Sequence, residues 1–292
     1  MRPSFLALVA LCLAAPLAAQ PALTTPRVSP HARVEQTIGL TVVSVDYHRP
    51  AVDGRRVWGD LVPYGQVWRM GANENTVFET STPISVEGQT LPAGRYGLHA
   101  IPTEGRWTIA FSRMAEAWGS YSYDPAEDAL RVDVTPAPAP GYGERLAFRF
   151  DGPTEMAATL VLHWEELEVP LRIEADTPSV VLAQMETDLR GLAGFYWQGW
   201  NQIAEYALDH RLRLDDALVW AGRSVERQAT FANQMTQAGL LDALGRSAEA
   251  TTVREAAFTA GTPDDVRAWA RARRRAGLAA EADAALARIG PQ

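Results

Sequence analysis

Two hydrophobic periods divide the chain. In its first part, apolar side chains recur at every second position over short runs. Thr41-Val42-Val43-Ser44-Val45-Asp46-Tyr47 places Val43, Val45 and Tyr47 on one face, and Trp107, Ile109 and Phe111 alternate within 106–113. That is the pattern of half-buried strands. Similar short runs predict strands at 76–80, 84–86, 95–101, 130–134, 145–150, 158–164 and 169–173. Turn signals separate them, among them Glu87-Gly88-Gln89, Leu91-Pro92-Ala93-Gly94 and Gly105. Strands and turns at this spacing suggest an antiparallel sandwich or barrel. The Pro/Ala-rich run at 136–141 reads as a stiff loop. Glu165, Glu166 and Glu168 read as a solvated turn between the last two strands.

Near Asp176 the period changes. Residues 178–189 read as a helix, with Pro178 at a favourable start and Gly191 beyond the end. From Gly199 the pattern is alanine-rich and repeats. Asp216-Ala217-Leu218 returns as Ala248-Glu249-Ala250 and as Glu281-Ala282-Asp283-Ala284, an offset of about 33 residues that is the period of helix–turn–helix repeats. Residues 241–250 resemble the inter-helix turn of a tetratricopeptide repeat. Three helix pairs, at 199–228, 230–260 and 263–290, make the smallest stable stack; a plain helical bundle is the simpler alternative. The arginines at 271 and 273–275 read as a polar helix face. The expected fold is therefore α+β in two segregated domains. An antiparallel β-sandwich or barrel-like domain spans 31–175, and TPR-like α-helical hairpin repeats span 176–292.

The N-terminus changes the picture of where this happens. Arg2 precedes an apolar run from Phe5 to Leu17, and small residues follow. This predicts a signal peptide at 1–19, cut after Ala19, then a linker at 20–30. The apolar run is too short to span a membrane comfortably, so the mature chain is expected in the periplasm or outside the cell without a transmembrane segment. Cys12 is the one cysteine, so a cleaved chain would have neither disulfides nor thiol chemistry. The net charge of −8 argues against nucleic acid as a partner. All 27 basic residues are arginines. Without lysine there is no Schiff base and no Walker-type phosphate loop. No cofactor fingerprint is present.

Residues 47–76 concentrate the candidate chemistry: Arg49, Arg55, Arg56 and Arg69, Trp58 and Trp68, Tyr47 and Tyr64, then Gly71-Ala72-Asn73-Glu74. Together with Leu91 to Tyr96, Ile101-Pro102, Trp107 to Ile109, Trp118-Gly119, Tyr123-Asp124, Asp128 to Val132 and the Ala158–Trp164 run, these motifs resemble one family. It is DUF2911, a bacterial secreted domain of unknown function, and the resemblance covers about residues 27–175. It implies export and a helical region after the domain, and it brings no activity. His48 stands where the resemblance implies Ser or Thr before Arg-Pro, which argues against a family-wide histidine catalyst there.

Guanidinium forks suit carboxylate or phosphate, so Arg49, Arg55 and Arg69 are candidates for an anion site. Asp46, Asp53, Asp60 and Glu74 can instead neutralise them locally. Trp58 and Trp68 can stack on a sugar or fill the core. Asn73 and Glu74 can orient a ligand, or Glu74 can pair with Arg69. No serine lies in a nucleophile elbow, and the histidines lack metal-ligand spacing, so no metal is expected. The expected function is an exported binding or interaction protein. A small-molecule, anion or glycan site would use Arg49, Arg55, Trp58, Trp68, Arg69, Asn73 and Glu74, and the helical repeats would dock a protein. The alternatives are an envelope hydrolase or isomerase using Glu74 or His48, and a purely structural domain.

Overall fold

Val43, Val45 and Tyr47 are buried, as their alternation requires, and they face the inner side of an antiparallel sandwich. The computed structural model describes residues 25–290, so the signal peptide expected at 1–19 lies outside the described residues. Among the described residues, ten strands build two sheets. They are β1 (His31–Ile38), β2 (Thr41–His48), β3 (Thr76–Thr80), β4 (Ile84–Val86), β5 (Gln89–Leu91), β6 (Gly94–Ile101), β7 (Trp107–Ser112), β8 (Asp128–Val134), β9 (Ala137–Asp151) and β10 (Ala157–Ala175). One sheet has the order β1-β2-β3-β6-β7-β8 and the other β5-β4-β10-β9. A single buried cluster joins Phe78, Leu98 and Phe111 of the first to Leu146, Leu160 and Ile173 of the second. Tyr47 also links them by a polar bond, its hydroxyl accepting from the Phe148 backbone N–H at 3.0 Å.

Three expectations change. The run at 136–141 is not a loop but the start of β9, where Ala137 pairs with Glu168 and Pro138 with Leu167. β9 is an outer strand, and proline is tolerated where one side of a strand needs no partner. The two strands expected at 158–164 and 169–173 are one continuous β10. Glu165 sits within it at φ 57° as a bulge, with register shifts on either side. Strand β1 was hidden because His31, Arg33, Glu35 and Thr37 face solvent along a sheet edge, where charge discourages pairing with other chains.

The second half is helical: α1 (Thr177–Asp188), α2 (Trp197–His210), α3 (Leu214–Arg227), α4 (Phe231–Ala243), α5 (Ser247–Ala260), α6 (Pro263–Arg275) and α7 (Ala279–Ala287). Asp176 caps α1, its carboxylate accepting from the Ser179 N–H. Thr230 and Thr262 close capping boxes with Asn233 and Asp265, satisfying amides the helix leaves free. Helices α2–α3, α4–α5 and α6–α7 form three hairpins. The alanines that recur in sequence, Ala217, Ala250 and Ala282, are fully buried on the second helix of each. Among the described residues no helix is long and apolar enough to cross a membrane.

Arg273 departs from the polar face expected of its run. Its side chain is 6% exposed and reaches Glu205 and Asp209 of α2 at 2.8 and 3.1 Å and Glu281 of α7 at 3.1 Å. The third hairpin is thereby tied to the first through one buried guanidinium.

Candidate functional site

The seven residues singled out by sequence occupy different places. Arg49 donates from Nε to the Leu146 carbonyl at 2.9 Å, and Arg55 donates to the carbonyls of Val52 and Ala51 at 3.0 and 2.7 Å. Both hold backbone. Trp58 and Trp68 join Trp107 and Trp164 in a cluster, with Trp58 edge-on to the other three at centroid distances of 4.9 to 5.8 Å. Trp68 also forms a backbone bridge to Ala100 of β6, which fixes the direction of the next residue, Arg69.

Asn73, at φ 60°, donates to the Ser29 carbonyl. Glu74 takes both its hydrogen bonds from Arg27 Nη1, at 2.8 and 2.6 Å, with His48 Nδ1 3.6 Å away. Residues 27–30 are thus strapped along the motif stretch, aided by the Arg49 N–H bond to the Pro30 carbonyl. The expected neutralisation is corrected here. Among the described residues none of Arg49, Arg55, Arg56 and Arg69 forms an ion pair; Asp46 pairs with His31 and Glu74 with Arg27. The strap lays Arg27 against Glu74, while Arg69 turns toward the loop after β7.

Hydrogen bonding from Arg27 pulls the Glu74 carboxyl down to about 2. A depressed carboxylate contributes above its unfolded value and loses that contribution as acid protonates it in the fold. The strap should therefore open between pH 4.5 and about 2, seen as a loss of protection at the Arg49 amide relative to its intrinsic exchange rate at each pH. At neutral pH, Glu74→Gln should speed tryptic cleavage after Arg27; an unchanged cleavage rate would show that the ion pair does not hold the strap.

Arg69 enters a polar cluster on the outer face of the six-stranded sheet. Strand alternation sends Tyr96, Leu98 and Ala100 inward and leaves Gly97 and His99 outward. In β8 the register runs from Phe111–Leu130 to Ser112–Asp128 and skips Ala129. This bulge re-aims Asp128 onto the face that carries His99. The loop 113–127 lies over that face. Asn75 donates from Nδ2 to the Met114 and Ala115 carbonyls, and its N–H to the Ala117 carbonyl. Gly97 leaves room for the loop, since a Cβ there would come within 2.6 Å of the Met114 oxygen.

His99 is 2% exposed. Its Nδ1 lies 2.9 Å from Ser120 Oγ, and the Tyr123 ring packs on it at 4.9 Å. Burial drives its pKa down to about 4, with Asp128 opposing and Arg69 reinforcing the shift, so the ring is neutral at pH 7. Tyr123 donates to Asp128 Oδ2 at 2.6 Å, where Arg131 Nε also binds at 2.5 Å. Burial, then the bond to Asp128, pushes the Tyr123 hydroxyl up to about 12.

Arg69 is half-buried beside Gly119, whose φ of +68° and close approach to Nη1 leave no space for a Cβ. Its Nε is buried without a partner, and the terminal nitrogens make no hydrogen bond among the described residues. Asn75 Oδ1 and Asp128 Oδ1 are likewise buried and unbonded. Exposed Trp118 and Tyr121 flank Gly119 on the same loop. A bare, partly desolvated guanidinium has the chemistry to accept an oxyanion.

Arg69 was legible as a candidate from the sequence, whereas the cluster of His99, Ser120 and Asp128 was not. Trp118-Gly119, Tyr123-Asp124 and Asp128 already stood among the family-like motifs. Their order along the chain was the available signal, whereas the Ser120–His99 pairing across 21 residues was not. Residues 29–173 match the family model DUF2911, described as a protein of unknown function. No curated protein and no solved structure gives a significant match.

Proposed function

We propose, from the premise that residues 29–173 belong to the DUF2911 family, that the chain is an exported binding and interaction protein whose β domain takes a small oxyanion at Arg69. The observation that carries the reading is the half-buried Arg69 guanidinium without an ion pair among the described residues. Such a charge is costly to keep unless an external anion completes it. Trp118 and Tyr121 offer faces for the rest of the ligand, so an acidic sugar suits this surface better than a bare ion. Export is supported by the leader-like segment at 1–19. The three hairpins and their offset of about 33 residues support a TPR-like surface that docks a protein.

Calorimetric titration with glucuronate, glucose and inorganic phosphate tests the anion site. Glucuronate should bind, glucose should not, and Arg69→Leu should weaken glucuronate by at least about tenfold, the loss of one charge-assisted contact. Because that variant removes an unpaired buried charge, it should melt no lower than the wild type. Absence of binding by glucuronate and phosphate alike, or binding untouched by Arg69→Leu, would overturn the assignment.

One observation favours a hydrolytic reading, the hydrogen bond between neutral His99 and Ser120, a base beside a hydroxyl. Hydrolysis of p-nitrophenyl acetate that disappears in Ser120→Ala supports it; equal rates in both proteins reject it. Glu74, with His48 one of the two bases the enzyme alternative offers, is occupied by Arg27.

A further inference from the structure

A cavity of about 530 Å³ opens between the Trp58–Tyr64 segment, the β6–β7 turn and the bulge of β10. Its walls are aromatic, with Trp58, Tyr64 and Trp107. Its rim is acidic, with Glu104, Glu165 and Glu166. No arginine lines it, and none of these three carboxylates forms an ion pair among the described residues. The nearest basic side chain in sequence, Arg106, is turned to Asp133.

The backbone is shaped to keep the acids there. Glu165 adopts φ 57°, a left-handed conformation that is strained for a residue other than glycine. It is also the bulge that breaks the register of β10 against β9. On a regular strand Glu165 and Glu166 would point to opposite faces; the bulge brings both to the same opening. Trp107 is 2% exposed and its indole N–H is bound to the Thr103 carbonyl at 3.0 Å, so the aromatic wall is rigid.

We infer that this cavity binds an organic cation, an ammonium or guanidinium group held by the faces of Trp58 and Tyr64 and by the Glu165 and Glu166 carboxylates. Aromatic faces attract such cations through the ring quadrupole, most strongly where water is partly excluded. Carboxylates supply the matching charge at the rim. A neutral sugar would satisfy the rings but leave three uncompensated negative charges around it. The site is separate from Arg69 and takes ligands of the opposite sign, so each can stand or fall alone.

The test uses the full chain and calorimetric titration with choline, Nα-acetyl-arginine amide and 3,3-dimethylbutanol, the uncharged isostere of choline. One or both cations should bind and the isostere should not. The Glu165→Gln, Glu166→Gln double variant should weaken the cation by about tenfold or more, in the range of a desolvated cation–π and charge contact. Tyr64→Ala, at a half-open position, should weaken it as well while leaving the melting temperature near that of the wild type. Absence of saturable binding by both cations overturns the inference. So does equal binding of choline and its isostere, which would mark a merely apolar hole. So does binding that survives the double variant unchanged.

Discussion

Lowering the pH from 7 to 4 will cost the β domain about 3 kcal/mol through His99 alone, because a tenfold change in proton affinity is worth about 1.4 kcal/mol. Above its ordinary value of 6.5 the imidazole is neutral in both states and contributes no pH dependence. Below that, the unfolded chain takes up a proton that the buried ring refuses, and stability falls. The fall ends near the folded value of about 4, where both states are protonated. Urea midpoints at pH 7, 5.5 and 4.5, compared between wild type and His99→Gln, isolate the effect, because Glu74 acts mainly below this window and His48 is common to both proteins. The variant should lose most of the acid slope. Parallel slopes would mean that His99 is solvated in the fold, and the polar cluster would then be a wet surface rather than a desolvated site.

Arg273→Ala is expected to destabilise the helical half by about 2–3 kcal/mol, below the full cost of breaking a buried ion pair from one side because its three carboxylate partners are partly exposed. The guanidinium holds Glu205, Asp209 and Glu281 from two other helices. Its removal leaves Glu205 partly buried beside like charges, and burial already pushes that carboxyl upward. The damage should therefore shrink as mild acid protonates Glu205. It should also shrink in the combination Arg273→Ala, Glu205→Gln, Asp209→Asn. Far-UV circular dichroism of thermal unfolding at 222 nm reads the helices, and hydrogen exchange at the amides of β6 and β7 reads the sandwich. A single substitution that lowers the helical transition and speeds that exchange together would show that the two halves unfold as one; no change in either would show that the triad contributes nothing.

Element type and order were readable because they rest on local patterns. The alternation at Val43, Val45 and Tyr47 and the buried alanines of the three hairpins each follow from a face that must be dry. What could not be read was where a strand bends. Asp128 reaches the outer face only because the register skips Ala129, and Glu165 reaches the cavity only because β10 bulges. Neither residue type announces a bulge. Arginine partners were equally hidden. A guanidinium finds backbone carbonyls as readily as carboxylates, and Arg49 and Arg55 took that route. Arg27 lay in a segment read as linker, yet it holds Glu74.

A chain that must seat Tyr47 against Phe148, 101 positions away, cannot close its sandwich until β9 and β10 have been made. Each helical hairpin closes across only about thirty residues, and local closure is fast where distant closure is slow. The half synthesised first must thus wait for its last strand before it can close, and for that interval its apolar strands have no opposite sheet. Any truncation before Ala175 makes the interval permanent, so aggregation of such fragments will originate in β2, β6 and β7 rather than in the helices.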